Sequence, residues 1–132
     1  MDAMQYNGLT LAYIGDCIYE LRVRNYVLSL GLTKVNDLHR KSVEFTRGQA
    51  QSYVMHYMID NNMLSELEYD MFKRGRNSSI AKVRKNISRS DYLEGTGFES
   101  LIGYLYLSGN ISRMDEIIDL AINLIKDRQK ED

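Results

Sequence analysis

The chain reads as one all-α domain, and three observations predict this. Proline is absent from all 132 residues, where average usage would be about 5%, so no helix interior loses an N–H donor to it. Apolar residues recur at spacings of three and four and seldom alternate, which is the helical period. Ser, Thr and Gly fall at the boundaries of the periodic stretches, where helix caps belong. The length suits one core, and no linker, repeat or low-complexity segment divides it.

The first helix is predicted from Leu9 to Leu30. Leu11, Ile14, Ile18 and Leu21 share one face. The other holds Leu9, Ala12, Tyr13, Asp16, Glu20 and Val23; it too is largely apolar, so burial on both sides is expected. One monomer core can consume only one such face, which points to a second copy of the chain on the other. Gly31 should end this helix. Thr33 should cap a second helix that begins near Lys34 and carries Val35, Leu38 and Val43. A break is expected at Phe45-Thr46-Arg47-Gly48, and a third helix then runs to about Ile59, ahead of Asn61-Asn62. Ser65-Glu66-Leu67-Glu68 is a capping box that opens a fourth helix fading near Gly75. Ser88-Arg89-Ser90-Asp91 has a similar form and opens a fifth, which stops at Ser108-Gly109-Asn110. Ser112-Arg113-Met114-Asp115 should cap the last helix, with Ile117, Ile118, Ala121, Leu124 and Ile125 inward and a fraying charged tail from Lys126 to Asp132.

Composition excludes several classes. No apolar run reaches the ~18 residues of a membrane span, and Met1-Asp2-Ala3-Met4 lacks the pattern of a signal peptide. A cytoplasmic protein with no membrane partner is expected. Cys17 is the only cysteine, so no intrachain disulfide can form and a Cys-based zinc site is disfavoured; it reads as a small core residue. Net charge is −1, but its distribution is uneven. Seven bases lie between Lys73 and Arg89 with no acid among them, and the other ten face all eighteen acids. Such a run is either a polyanion contact or a solvated loop. Arg74, Arg76, Lys82, Arg84 and Lys85 have no aromatic between them, which argues against base stacking and for a grip on phosphates. Asn77 and Asn86 could add 2′-hydroxyl contacts or simply form turns.

The sharpest clue is a pair of lone acids. Asp16 sits within the apolar run Leu9 to Tyr19, and Glu99 within Gly95 to Leu107. An ionised carboxylate there is costly unless paired or bound to a metal. Either the two meet and hold a hard cation, or each lies on a partly wet face beside an Arg. Gly15 borders Asp16, and Gly95, Gly97 and Gly103 surround Glu99. Each helical Gly costs about 1 kcal/mol relative to Ala, so close approach of two helices is expected. Mg²⁺ typically takes one or two carboxylates plus phosphate oxygens and water. Two acids and a basic segment therefore suit metal-assisted phosphodiester hydrolysis. His39 and His56 lie on different predicted helices and lack metal-ligand spacing.

Four stretches together resemble the ribonuclease III superfamily, and within it the Mini-III ribonucleases. They are Leu11-Ala12-Tyr13-Ile14-Gly15-Asp16-Cys17-Ile18-Tyr19-Glu20, Lys73-Arg74-Gly75-Arg76-Asn77, Lys85-Asn86, and the run Phe98-Glu99-Ser100-Leu101-Ile102-Gly103 continuing to Leu107. The resemblance spans nearly the whole chain. It implies an all-α, ribonuclease III-like helical bundle that forms a twofold homodimer. It implies a Mg²⁺-dependent endonuclease, with Mn²⁺ able to substitute, acting on double-stranded RNA and maturing the 23S ribosomal RNA precursor. It also implies a catalytic domain without a double-stranded-RNA-binding domain. Asp16 and Glu99 fall on the catalytic and metal-binding positions. The RNA contacts are assigned to Arg74, Arg76, Asn77, Lys82, Arg84, Lys85 and Asn86. Full-length ribonuclease III carries two further carboxylates where this chain has Ala12 and Thr96. Glu20 could partly compensate or could pair with Arg24. The competing readings are a non-catalytic RNA-binding or ribosome-assembly protein on the same fold, and a helical interaction domain. Retention of both Asp16 and Glu99 favours the enzyme.

Overall fold

The computed structural model describes residues 1–78 and 87–131. After a 3₁₀ turn at Ala3–Gln5, the described residues form six helices: α1 (Gly8–Leu28), α2 (Val35–Thr46), α3 (Gly48–Asp60), α4 (Glu66–Arg76), α5 (Arg89–Leu107) and α6 (Ile111–Glu131). There is no strand among them, so the all-α expectation holds.

α5 is the hub, packed against α1, α3, α4 and α6. Phe98, Leu101, Ile102 and Leu105 are wholly or almost wholly buried. Around it stand Leu11, Val23 and Val27 of α1, Phe45 of α2, Met55 and Met58 of α3, and Ile117 and Ile118 of α6.

α1 and α5 approach at backbone distance. A Cβ on Gly15 would overlap the carbonyl oxygen of Glu99, and one on Gly103 would overlap the carbonyl oxygen of Leu11. Each helix thus presents a glycine to the other's carbonyl, which explains glycines that would otherwise weaken two long helices.

Several sequence expectations are corrected. The buried stripe of α1 is Leu11, Ala12, Gly15, Tyr19, Val23 and Val27, which cuts across both predicted faces because the glycine contact sets the helix rotation. Tyr13 is 81% exposed, and Leu9 and Leu21 are also exposed. Thr33 does not cap α2; Lys34 holds that position without a side-chain bond. α6 starts at Ile111, so Ser112 lies inside the helix, and Met114 N–H donates to the Asn110 carbonyl. The tail does not fray at Lys126. Gln129 donates to Glu44 at 2.9 Å, and Arg128 lies 4.3 Å from the Tyr53 ring centroid, so contacts with α2 and α3 extend α6 to Glu131. Other boundaries agree. Ser65 and Glu68 make the reciprocal capping box, Ser88 accepts from Asp91 N–H, and Gly31 and Gly109 take the positive φ of helix stops.

One ion pair fastens α4 to α6. Buried Glu68 accepts from Arg113 Nε at 2.8 Å and Nη2 at 3.1 Å, and Arg113 Nη2 also donates to the Met63 carbonyl at 2.6 Å. Burial opposes ionisation of Glu68, but the bonds from Arg113 and Ser65 outweigh it and hold the carboxyl below the usual Glu range. A depressed folded value means that stability is present above the ordinary pKa and is lost as pH falls through the folded one. Arg113→Ala should cost about 2–3 kcal/mol at neutral pH, between the surface and buried regimes for ion pairs. Urea denaturation should show the gap to wild type narrowing as pH drops below 4.5, the ordinary Glu value.

Candidate active site

The glycine crossing places the two acids. Gly15 backs onto the Glu99 carbonyl, and Asp16 is the next residue of α1. Both line one cleft of about 540 Å³ between α1, α5 and the α2–α3 junction. Asp16 is exposed to solvent and Glu99 is half-buried. That common cleft is the juxtaposition the shared-site reading calls for.

Glu20, one turn beyond Asp16, lines the same cleft. Its carboxylate accepts from Arg24 Nε at 3.1 Å and Nη2 at 2.9 Å, so pairing is its observed role. Tyr19 is buried; its hydroxyl donates to the Phe45 carbonyl at 3.1 Å and its ring meets Phe98 edge-on at 4.9 Å. Burial, with the charges of Glu99 and Glu20 adding to it, pushes the Tyr19 hydroxyl well above the ordinary tyrosine range. It therefore stays protonated and serves as a structural donor.

Cys17 is exposed on the cleft rather than in the core, because the helix rotation turns that side of α1 outward. His39 also faces the cleft, whereas His56 Nε2 lies 2.6 Å from Glu94 Oε2. The sequence reading did not single out Arg47 or Gln51, which also line the cleft. A usable signal existed for Gln51: it is an amide among Ala50, Val54, Met55 and Met58, all buried residues of α3.

Of the basic segment, the structure places Arg74, Arg76 and Asn77 at the C-terminal end of α4, outside the cleft lining. Arg74 Nη1 donates to the carbonyls of Met4 and Tyr6 at 2.6 and 3.0 Å, tying down the N-terminal turn. Arg76 Nε donates to Asn77 Oδ1 at 3.1 Å. Lys82, Arg84, Lys85 and Asn86 lie outside the described residues. Ile87, which follows them, lines the cleft.

The donor set is one of hard oxygens. Among the described residues no group of three or more His, Cys, Asp or Glu side chains is gathered to hold a metal ion. Two carboxylates on an open cleft fit Mg²⁺, which fills its remaining positions with water and phosphate oxygens. They do not fit the closed four-ligand cage of a structural zinc. Ala12 and Thr96 add no donor charge.

The chain matches the Ribonuclease III domain model over residues 9–110. It is 44% identical over 124 residues to Mini-ribonuclease 3 of Enterococcus faecalis, covering 94% of each chain. It is 45% identical over 127 residues to that of Clostridium tetani, covering 96% of this chain and 83% of the relative. A crystal structure of a protein from Fusobacterium nucleatum superposes with a TM-score of 0.83 at 31% identity, covering 93% of this chain and 98% of that one. Among the described residues no helix is long and apolar enough to cross a membrane. The acid pair at a glycine crossing, the helical frame around it and these relatives agree: the chain belongs to the ribonuclease III family, in its Mini-ribonuclease 3 branch, and is an endoribonuclease of that type.

Proposed function

We propose that this endoribonuclease cuts double-stranded RNA with Mg²⁺ held by Asp16 and Glu99, and that its natural substrate is the precursor of 23S ribosomal RNA. The observation that carries the reading is the convergence of those two acids on one open cleft. Mg²⁺, when bound, polarises a phosphoryl oxygen and lowers the pKa of water. Mn²⁺ takes the same oxygen donors and can substitute. The chain itself supplies position. Exposed Asp16 reaches outward, half-buried Glu99 anchors the inner wall, and Arg47 on the cleft lining offers a guanidinium to the RNA backbone.

The basic segment holds the duplex by its phosphates and sugars. Arg76 and Asn77, the remaining donors of Arg74, and Lys82, Arg84, Lys85 and Asn86 are the residues assigned to that grip. A-form RNA is recognised mainly by shape, phosphate and 2′-hydroxyl contacts, which such a segment provides.

A twofold homodimer is part of the same reading. Leu9, Tyr13, Cys17 and Leu21 lie on successive turns of α1, Leu28 lies two turns further on, and all are exposed. An apolar stripe of this kind suits a second copy of the chain. Twofold symmetry would set two clefts on one duplex, one for each strand.

The test is incubation with long duplex RNA, with the 23S precursor and an unrelated duplex as separate arms, with and without Mg²⁺. Cleavage that needs Mg²⁺ and favours the precursor is expected. Binding without cutting would select the assembly-protein reading. Sedimentation should give a dimer at micromolar concentration.

A further inference from the structure

Gln51 is 3% exposed on α3, whose other buried residues are Ala50, Ser52, Val54, Met55 and Met58. An amide placed there is costly unless its polar atoms have partners. Its Nε2 lies 3.5 Å from Glu99 Oε2. Its Oε1 points at α5, where a Cβ on Gly95 would stand 2.7 Å from it. The sequence thus accepts two local costs at one point, a buried amide on α3 and a mid-helix glycine on α5. Together they seat the amide group against the inner side of Glu99.

We infer that Gln51 is a positioning residue for Glu99: its amide N–H holds one carboxylate oxygen and so fixes the orientation of the side chain on the cleft wall. A contact of 3.5 Å is long for a hydrogen bond. Such bonds around reacting groups often tighten only when the site is loaded. A carboxylate that ligates a metal is ordinarily held by a neighbouring donor, and removing that donor typically costs about 10–100-fold in metal affinity or activity. The inference rests on Glu99 being a metal ligand, as proposed above.

Two variants test it, with wild type and Glu99→Gln run alongside. Gln51→Met keeps length and removes both polar atoms. Its melting temperature should equal or exceed that of wild type. Without RNA, the Mn²⁺ concentration needed for half-maximal thermal stabilisation should rise about 10-fold. With Mg²⁺ and saturating duplex RNA, its single-turnover rate should fall about 10–100-fold, with KM for RNA within about 2-fold of wild type. Gln51→Glu keeps the shape but turns the donor into an acceptor, and its rate should fall at least as far. The inference is overturned if Gln51→Met keeps the wild-type rate and Mn²⁺ midpoint, or if Gln51→Glu keeps the wild-type rate. It is also overturned if the loss in Gln51→Met disappears at a temperature where that variant is fully folded. A Glu99→Gln enzyme that still cuts would instead bring down the metal-site reading on which the inference stands.

Discussion

Asp16→Asn and Glu99→Gln should each lower the single-turnover rate of duplex RNA cleavage by about 10³-fold or more, equal to about 4 kcal/mol of transition-state stabilisation. Each change removes one negative charge and keeps the shape of the side chain. Asp16 is exposed and Glu99 half-buried, so folding should be almost indifferent, with melting temperatures within about 2 °C of wild type. RNA affinity measured without a divalent ion should also persist, because the basic segment is intact. That pattern, chemistry lost with fold and binding kept, distinguishes a catalytic pair from two buried structural acids. Wild-type turnover in either variant would remove that residue from the site.

Gly15→Ala should have a different signature and lose both stability and activity. The new methyl would overlap the carbonyl oxygen of Glu99, a backbone atom of α5 that no rotamer change can clear. Overpacking costs typically about 1–3 kcal/mol, and a backbone clash belongs at the upper end. For a chain of this size that corresponds to a fall of roughly 10 °C in melting temperature. If the helices part to relieve the clash, Asp16 moves relative to Glu99, and a displacement of about 1 Å can cost ~10²-fold in rate. Gly103→Ala, which meets the Leu11 carbonyl from the other side, should behave alike. A Gly15→Ala protein with unchanged melting temperature would show that the crossing has slack.

The sequence disclosed the helices well because their signals are local. Ser65 with Glu68, Ser88 with Asp91, and Gly31 and Gly109 each mark a boundary through neighbours within a few residues. It also disclosed the acid pair, since an isolated carboxylate in an apolar run is conspicuous without any tertiary knowledge. What escaped depends on distant partners. The rotation of α1 is set by Glu99 and Gly103, so neither the buried stripe nor the exposure of Cys17 could be read from α1 alone. The tail beyond Lys126 looked like solvated charge because Glu44 and Tyr53, which hold it, lie far back in the chain. The tie of Arg74 to the N-terminal turn was hidden for the same reason, its carbonyl partners at Met4 and Tyr6 being remote. Gln51 was visible as an odd amide, but only the fold shows Glu99 beside it.

The glycine crossing also sets when the enzyme comes into being. Gly15 and Gly103 lie far apart in the sequence, and neither α1 nor α5 can build the contact without the other. A nascent chain that has released α1 to α4 holds Asp16 but neither Glu99 nor the helix that fixes it. Contacts of such sequence separation form late, after the closing of a long loop. A truncated product ending before α5 lacks Glu99 and the helix that carries it, and is expected to leave duplex RNA uncut in a cleavage assay.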